Sequence, residues 1–128
     1  VVVNENYEKG QSESVKAGLP AISCDVEAVM ILPGDVALVD TSSINKVIER
    51  YRRAKSRIVI ASYRSQSGHP ILVDRALFDE ISKIDEQTFG LKAIINRHRE
   101  EVEYVDVEDE GVLIDIDTQE EFDRHFQR

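Results

Sequence analysis

Cysteine is nearly absent. Cys24 is the single one among 128 residues, which excludes an internal disulfide framework and any zinc site built from several thiolates. That usage fits a reducing cytoplasm. No apolar run approaches the ~18 to 20 residues that span a bilayer, and no charged-then-apolar leader opens the chain, so no membrane partner is expected. Basic charge is scarce: 16 Lys and Arg stand against 25 Asp and Glu, a net charge of -9. Such a balance argues against a broad nucleic-acid or anionic-membrane surface. A phosphorylated ligand would need a local patch or a metal ion to offset it. Internal repeats, low-complexity linkers and His pairs at ligand spacing are also missing; His98 and His125 read as solvated positions among charges. What remains is one domain's length with 41% hydrophobic residues, enough for a modest core.

Short apolar runs alternate with amphipathic stretches. The β-branched run Val1-Val2-Val3 predicts a strand, and a polar loop with Gly10 follows. Ser12 or Ser14 can cap a short helix to Gly18. Residues 28–32 read as a strand buried on both faces, because they are continuously apolar. Ile44, Val47, Ile48 and Tyr51 share one face of a helix over 44–54, capped from Thr41, Ser42 or Ser43. Residues 57–61 predict a third strand, 65–70 a turn region and 71–73 a short strand. A weak helix over 77–84 and a stronger one over 90–99 follow. Residues 102–107 and 112–116 each read as strands. Thr118 with Glu121 forms a capping box for a last helix, with Phe122 and Phe126 at i, i+4. Strands alternating with helices predict an α/β fold with a mostly parallel sheet covered on both faces.

The segment Ala28-Val29-Met30-Ile31-Leu32-Pro33-Gly34-Asp35 carries most information about function. Pro33 and Gly34 end the strand and turn the chain, so Asp35 stands just past the carboxyl end of a central strand. In open α/β sheets that edge binds ligands, and a carboxylate there can hold magnesium against phosphate oxygens. Asp35 can equally be a plain turn residue. Asp115 and Asp117, if strand alternation holds, share one face and invite a cation, or form a solvated end of an acidic tail.

Four motifs in order resemble the MobA-like nucleotidyltransferase family. Asn4 with Gly10-Gln11-Ser12-Glu13-Ser14-Val15-Lys16-Ala17-Gly18-Leu19 resembles its N-x-x-x-x-x-G-x-S-x-S-[LV]-x-x-G-[LI] stretch. Leu32-Pro33-Gly34-Asp35 with Val39-Asp40 is similar to L-x-GD-x-P-x-[VL]. Gly68-His69-Pro70-Ile71-Leu72 is similar to G-H-P-V-L/F, and Ile114-Asp115-Ile116-Asp117-Thr118-Gln119-Glu120-Glu121-Phe122 to D-I-D-T-P-E-D-[LFY]. The branch that acts in molybdenum cofactor cytidylylation combines the last two motifs. The resemblance covers nearly the whole chain.

The resemblance implies a Rossmann-like, three-layer nucleotide-diphospho-sugar transferase fold. It implies magnesium-dependent transfer of a nucleoside monophosphate, from CTP by preference, to a phosphorylated acceptor such as molybdopterin. A sugar phosphate acceptor, or a non-catalytic nucleotide- or cofactor-binding module, stays open beside it. By the same resemblance Asp35 is catalytic and binds metal together with Asp117. Gly10, Ser12, Ser14 and Gly34 bind nucleotide, and Gly68, His69 and Pro70 lie on the acceptor side. Helix capping is the alternative for both serines. Lys92 could meet the acceptor's phosphate or simply face solvent. Implied partners are a nucleoside triphosphate, a pterin-type cofactor and a molybdoenzyme under maturation. Two departures stand out: the family's opening L-A-A-G-x-S-x-R-M-G-x-x-K loop has no counterpart, and Val36-Ala37 replaces the Q-P or M-P after Gly-Asp. The first makes this sequence read as the C-terminal portion of such a domain.

Overall fold

The computed structural model describes residues 1–126. Four strands form one sheet: β1 (Ala28–Ile31), β2 (Ile58–Tyr63), β3 (Gln66–Asp74) and β4 (Val102–Asp106), in the order β1-β3-β2-β4. β3 pairs antiparallel with β1 and with β2, and β2 pairs parallel with β4. Hence β1, β2 and β4 run the same way and β3 runs against them. The sheet is mostly parallel by direction, although two of its three ladders are antiparallel.

Helices cover both faces. α1 (Gln11–Gly18), α3 (Phe78–Ile81) and α4 (Gly90–Arg97) lie on one side; α2 (Thr41–Ala54) lies on the other; α5 (Gln119–Phe126) ends the described chain. Strand alternation divides the core accordingly. Ile58, Ile60, Ile71 and Val73 face Leu77, Ile81 and Ile94. Val59, Ala61 and Leu72 face Val47, Val105 and Val112. This is the three-layer α/β arrangement that the alternation predicts.

Three local expectations need correction. Val1 to Val3 form no strand and are exposed: β propensity needs a partner strand to take its hydrogen bonds, and none of the described strands pairs with them. Residues 65–70 are not a turn region. Arg64 and Ser65, both in the left-handed region at φ 48° and 67°, make a two-residue hairpin turn, and β3 begins at Gln66. Primed hairpin turns normally announce themselves with Gly or Asn, so this one was silent in the sequence. Residues 112–116 are not a strand either. Asp109 accepts the Gly111 N–H at 2.8 Å and starts a 3-10 turn over Glu110–Leu113, and the chain then runs extended without a ladder.

Capping was legible. Glu121 Oε2 accepts the Thr118 N–H at 3.0 Å. Thr118 Oγ1 accepts the Glu121 N–H at 3.2 Å. Together the two bonds make a reciprocal capping box for α5. The α2 cap is one residue earlier than Thr41: Asp40 Oδ1 accepts the Ser43 N–H at 2.7 Å and the Ser42 hydroxyl at 2.8 Å.

Candidate active site

Asp35 sits where β1 delivers it. The Val36 N–H donates to the Pro33 carbonyl at 3.2 Å, closing a turn that leaves Gly34 and Asp35 exposed while Val36 is buried. A buried residue on one side of the turn and the strand on the other fix where the carboxylate emerges. The returning C-terminal segment then docks on it: the Ile116 N–H donates to the Asp35 carbonyl at 2.9 Å. That single bond sets the two acidic segments of the chain side by side, from positions about 80 residues apart that no local pattern connects.

His69 is the third member. It is half-buried, and burial pulls its pKa below the ordinary imidazole value, while the charges of Asp115 and Asp35 pull it back up. The Asp115 and Asp35 carboxylates therefore lie within electrostatic reach of His69. Asp117 is placed differently. Its N–H donates to Glu121 Oε2 at 3.0 Å, so its backbone belongs to the α5 cap, and its exposed carboxylate makes no hydrogen bond or ion pair with another described residue. The shared strand face expected for Asp115 and Asp117 does not exist, since that segment is not a strand.

Two clefts open on this side of the sheet. The first, of about 560 Å³, runs between α1 and β1 and is lined by Gln11, Ser14, Gly34 and Asp35 over an apolar bed that includes Met30. The second, of about 600 Å³, lies between α1, α4 and the sheet, with His69 and Lys92 on its walls. Gln11, Val15 and Ile31 line both, so the clefts are neighbours.

The predicted nucleotide residues separate on inspection. Ser14 and Gly34 reach the first cleft with Asp35. Ser14 Oγ also accepts from Asn4 Nδ2 at 3.0 Å, which ties the preceding loop to α1. Ser12 is only 4% exposed, and its N–H donates to Glu86 Oε1 at 2.7 Å. The Glu86 carboxyl is held below its usual range by that backbone bond and by the Ser12 side chain. Ser12 thus serves as the buried join between α1 and the loop before α4. Gly10 belongs to the same join. At φ 109° it takes a conformation that favours glycine, and the Glu86 side chain occupies the space of a would-be Cβ. Ser12 also lines the second cleft, and Gly10 lines neither of the two.

The predicted acceptor residues divide in the same way. His69 faces the second cleft. Gly68 also lines it, but its conspicuous feature is close packing: a Cβ there would collide with the Val112 carbonyl. Pro70, after a cis peptide bond, is fully buried and lines neither cleft. Sequence reasoning gave no place to Gln11, Tyr104 or Asn96, which line the clefts. Register and long-range packing put them there, and neither leaves a local trace.

The donor set suits a hard divalent cation. Asp35 and Asp115 are carboxylates open to solvent, and no group of three or more His, Cys, Asp or Glu among the described residues forms a ready-made cage. Magnesium commonly takes one or two carboxylates and completes its shell with water and substrate phosphates. These residues fit that mode and not an all-protein metal site. No described helix is long and apolar enough to cross a membrane.

No curated protein matches the chain in sequence. Its fold is similar to that of the Rv0371c homolog from mycobacterium sp. strain JC1, at 24% identity and TM-score 0.73 over 90% of this chain and 56% of that one. It is also similar to Rv0371c from Mycobacterium tuberculosis H37Rv, at 20% identity and TM-score 0.77 over 92% and 60% respectively. The manganese complex of that protein aligns at 20% identity and TM-score 0.73, over 90% of this chain and 60% of the other. The chain therefore spans 56% to 60% of the length of these structures, and at such identities the likeness is one of fold. Residues 1–102 match the MobA-like NTP transferase domain, and the chain belongs to that family.

Proposed function

We propose that this chain takes part in metal-dependent nucleotidyl transfer from a nucleoside triphosphate, CTP by preference, to a phosphate monoester of the molybdopterin type. The observation that carries the reading is the bond from the Ile116 N–H to the Asp35 carbonyl, which brings the segment of Asp115 against Asp35 on the first cleft, within electrostatic reach of His69 on the second. In the reaction an acceptor phosphate oxygen attacks the α-phosphorus of the nucleotide. The bond from that phosphorus to the bridging oxygen breaks, and pyrophosphate leaves with the electron pair. A phosphate monoester is largely dianionic at neutral pH, so the attack needs no general base. A divalent ion, magnesium or the manganese seen with Rv0371c, supplies charge neutralisation at the phosphates. Asp35 and Asp115 would hold it. Ser14 and the bare backbone at Gly34 line the space for the nucleotide, and His69 stands at the junction with the acceptor. Positioning and charge neutralisation are then the whole of the catalysis.

A second reading is a nucleotide- or cofactor-binding module without catalysis. It is favoured by the lining of the first cleft, in which Asp35 is the charged residue and no Lys or Arg takes part. A sugar phosphate acceptor is the remaining alternative. Titration with CTP, GTP and ATP in magnesium or manganese, on wild type and Asp35→Ala, tests the site. Asp35→Ala is expected to lose metal-dependent nucleotide binding, and unchanged binding would overturn the assignment. Pyrophosphate release with molybdopterin present separates the enzyme from the module.

A further inference from the structure

α1 is the wall that the two clefts share. Gln11 and Val15 line both, Ser14 lines the first and Ser12 the second. The helix has only eight residues, and helices of that length are marginal on their own. Where its first turn sits therefore depends on what holds it. Its own N-terminus supplies nothing: the N-cap is Gly10, and no side chain there accepts a helix N–H. Ser12 and Ser14, the residues that local pattern offers as caps, lie inside the helix.

The cap comes from 74 positions away. Glu86 Oε1 accepts the Ser12 N–H at 2.7 Å. Ser12 is the second residue of the helix, and its N–H is one that an ordinary N-cap side chain would take. The carboxylate also stands at the positive end of the helix dipole. Both partners are shaped for the contact. A Cβ at Gly10 would occupy the place of the Glu86 side chain, and one at Gly90 would collide with Ser12 Oγ.

Glu86 is carried on a turn that closes on itself. Asp85 Oδ1 accepts the Thr88 N–H at 2.7 Å and the Thr88 hydroxyl at 2.8 Å, and the Asp85 carbonyl accepts the Gly90 N–H at 2.8 Å. Phe89 and Gly90 complete the turn in the left-handed region, at φ 67° and 51°. A bulky residue there is an outlier that its surroundings must hold in place. The charge of Lys16, further along α1, also reaches Asp85, so the turn meets the helix at a second point. Glu86 lines the second cleft and not the first. Yet the turn of helix it holds brings Gln11 and Ser14 to the first cleft, and Ser14 Oγ in turn holds Asn4 at 3.0 Å.

We infer that Glu86 is a positioning residue for the nucleotide: by capping α1 from the loop before α4, it fixes the wall of a cleft that it does not itself line. The identity of the ligand rests on the transfer reading proposed above, and the seating of α1 on the geometry alone.

The test pairs hydrogen exchange of the α1 amides, with no ligand present, with calorimetric titration of CTP in magnesium, both on the full chain. Glu86→Ala is expected to speed exchange in α1 and to weaken CTP, each by about fivefold or more, the scale of a lost helix cap. Glu86→Gln keeps an acceptor oxygen and should stay within about twofold of wild type in both readouts. Gly10→Ala crowds the Glu86 side chain out and should reproduce the loss. Val47, fully buried on the opposite face of the sheet, gives the control. Val47→Ala should lower global stability more than Glu86→Ala and leave CTP affinity within about twofold. Unchanged α1 exchange in Glu86→Ala, a loosened α1 with CTP affinity intact, a Glu86→Gln as defective as Glu86→Ala, or CTP weakened equally by Val47→Ala would overturn the assignment. An α1 loosened by Glu86→Ala, in a protein whose wild type binds neither CTP, GTP nor ATP, would keep Glu86 as the seat of α1 and sink the nucleotide reading.

Discussion

The two faces of the sheet are built from the same strands and finished differently. On one, α2 runs 14 residues with a cap at each end, Asp40 at the start and Lys55 in the left-handed conformation at the finish. It seals Val59, Ala61, Leu72 and Val105 beneath Val47. Asp109 fastens this side, accepting from the Asp40 N–H at 2.8 Å, the Ser43 hydroxyl at 3.0 Å and the Gly111 N–H at 2.8 Å. At the base of the helix, Tyr51 donates its phenol to Asp74 at 2.6 Å, and burial together with that carboxylate pushes the phenol pKa up to about 12. On the other face three helices of eight, four and eight residues share the cover. Short helices bury their inner ends and leave gaps at their junctions, and the two clefts are those gaps. A sealed face supplies rigidity, and an incompletely covered face supplies the site.

That contrast can be broken deliberately, and the largest effect should come from the sealed face. Leu72 is a buried side chain under α2. Leu72→Ala is expected to cost about 3 kcal/mol in urea unfolding. Phe89→Ala on the open face, where the ring is exposed, should stay within about 0.5 kcal/mol. Similar losses at both sites would mean that the faces are not differently sealed.

Asp109→Ala comes next. It strands a hydroxyl and two backbone N–H groups. The expected loss is about 2 kcal/mol. Since Asp109 also starts the turn that returns the chain to Asp35, metal-dependent nucleotide binding should weaken in the same variant. A fall in stability with binding intact would show that the sealed face does not steady the open one.

Thr118→Ala deletes one half of the α5 capping box. It should cost about 1 kcal/mol, with helical circular dichroism as the readout. The smallest effect is the pH response of the α3–α4 corner. There His98 Nε2 lies 2.9 Å from Glu80 Oε1, and Arg97 bonds Glu80 Oε2 at 2.8 Å. His98 first, then Arg97, hold the Glu80 carboxyl below its usual value. A carboxylate depressed in the folded state contributes stability that is full above its unfolded pKa and is lost as pH falls through the folded one. Glu80→Gln should therefore flatten the acid limb of stability below about pH 4.5 and change little at neutral pH. An unchanged acid limb would remove Glu80 from the account.

Legibility followed distance along the chain. The apolar run stopping at Pro33-Gly34-Asp35 placed a carboxylate beyond the end of a central strand buried on both faces. The structure has Asp35 past the end of β1 and exposed. β1 itself is an edge strand and half-buried, because only β3 pairs with it. The Thr118–Glu121 box was equally plain, because both of its bonds close within one helical turn. The tie of Ser12 to Glu86 was not legible, because the two residues are 74 positions apart. The hairpin at Arg64 and Ser65 was missed because neither residue carries the usual turn signature.

By itself the sequence determined which segments are strands and helices at their strongest, where α5 is capped, that Asp35 ends β1, and that four ordered motifs resemble one family. These are properties of neighbours in the chain, set by alternation, caps and turns over a few residues. Tertiary structure alone decided that Ile31, Ile71, Ile60 and Tyr104 make one row across the sheet, that the segment carrying Asp115 docks on Asp35 within electrostatic reach of His69, and that Ser12 and Pro70 are buried. The physical reason is register. Strand pairing and the return of a distant segment select which residues meet, and a shift of one residue would exchange the faces of a whole strand without altering a single local signal.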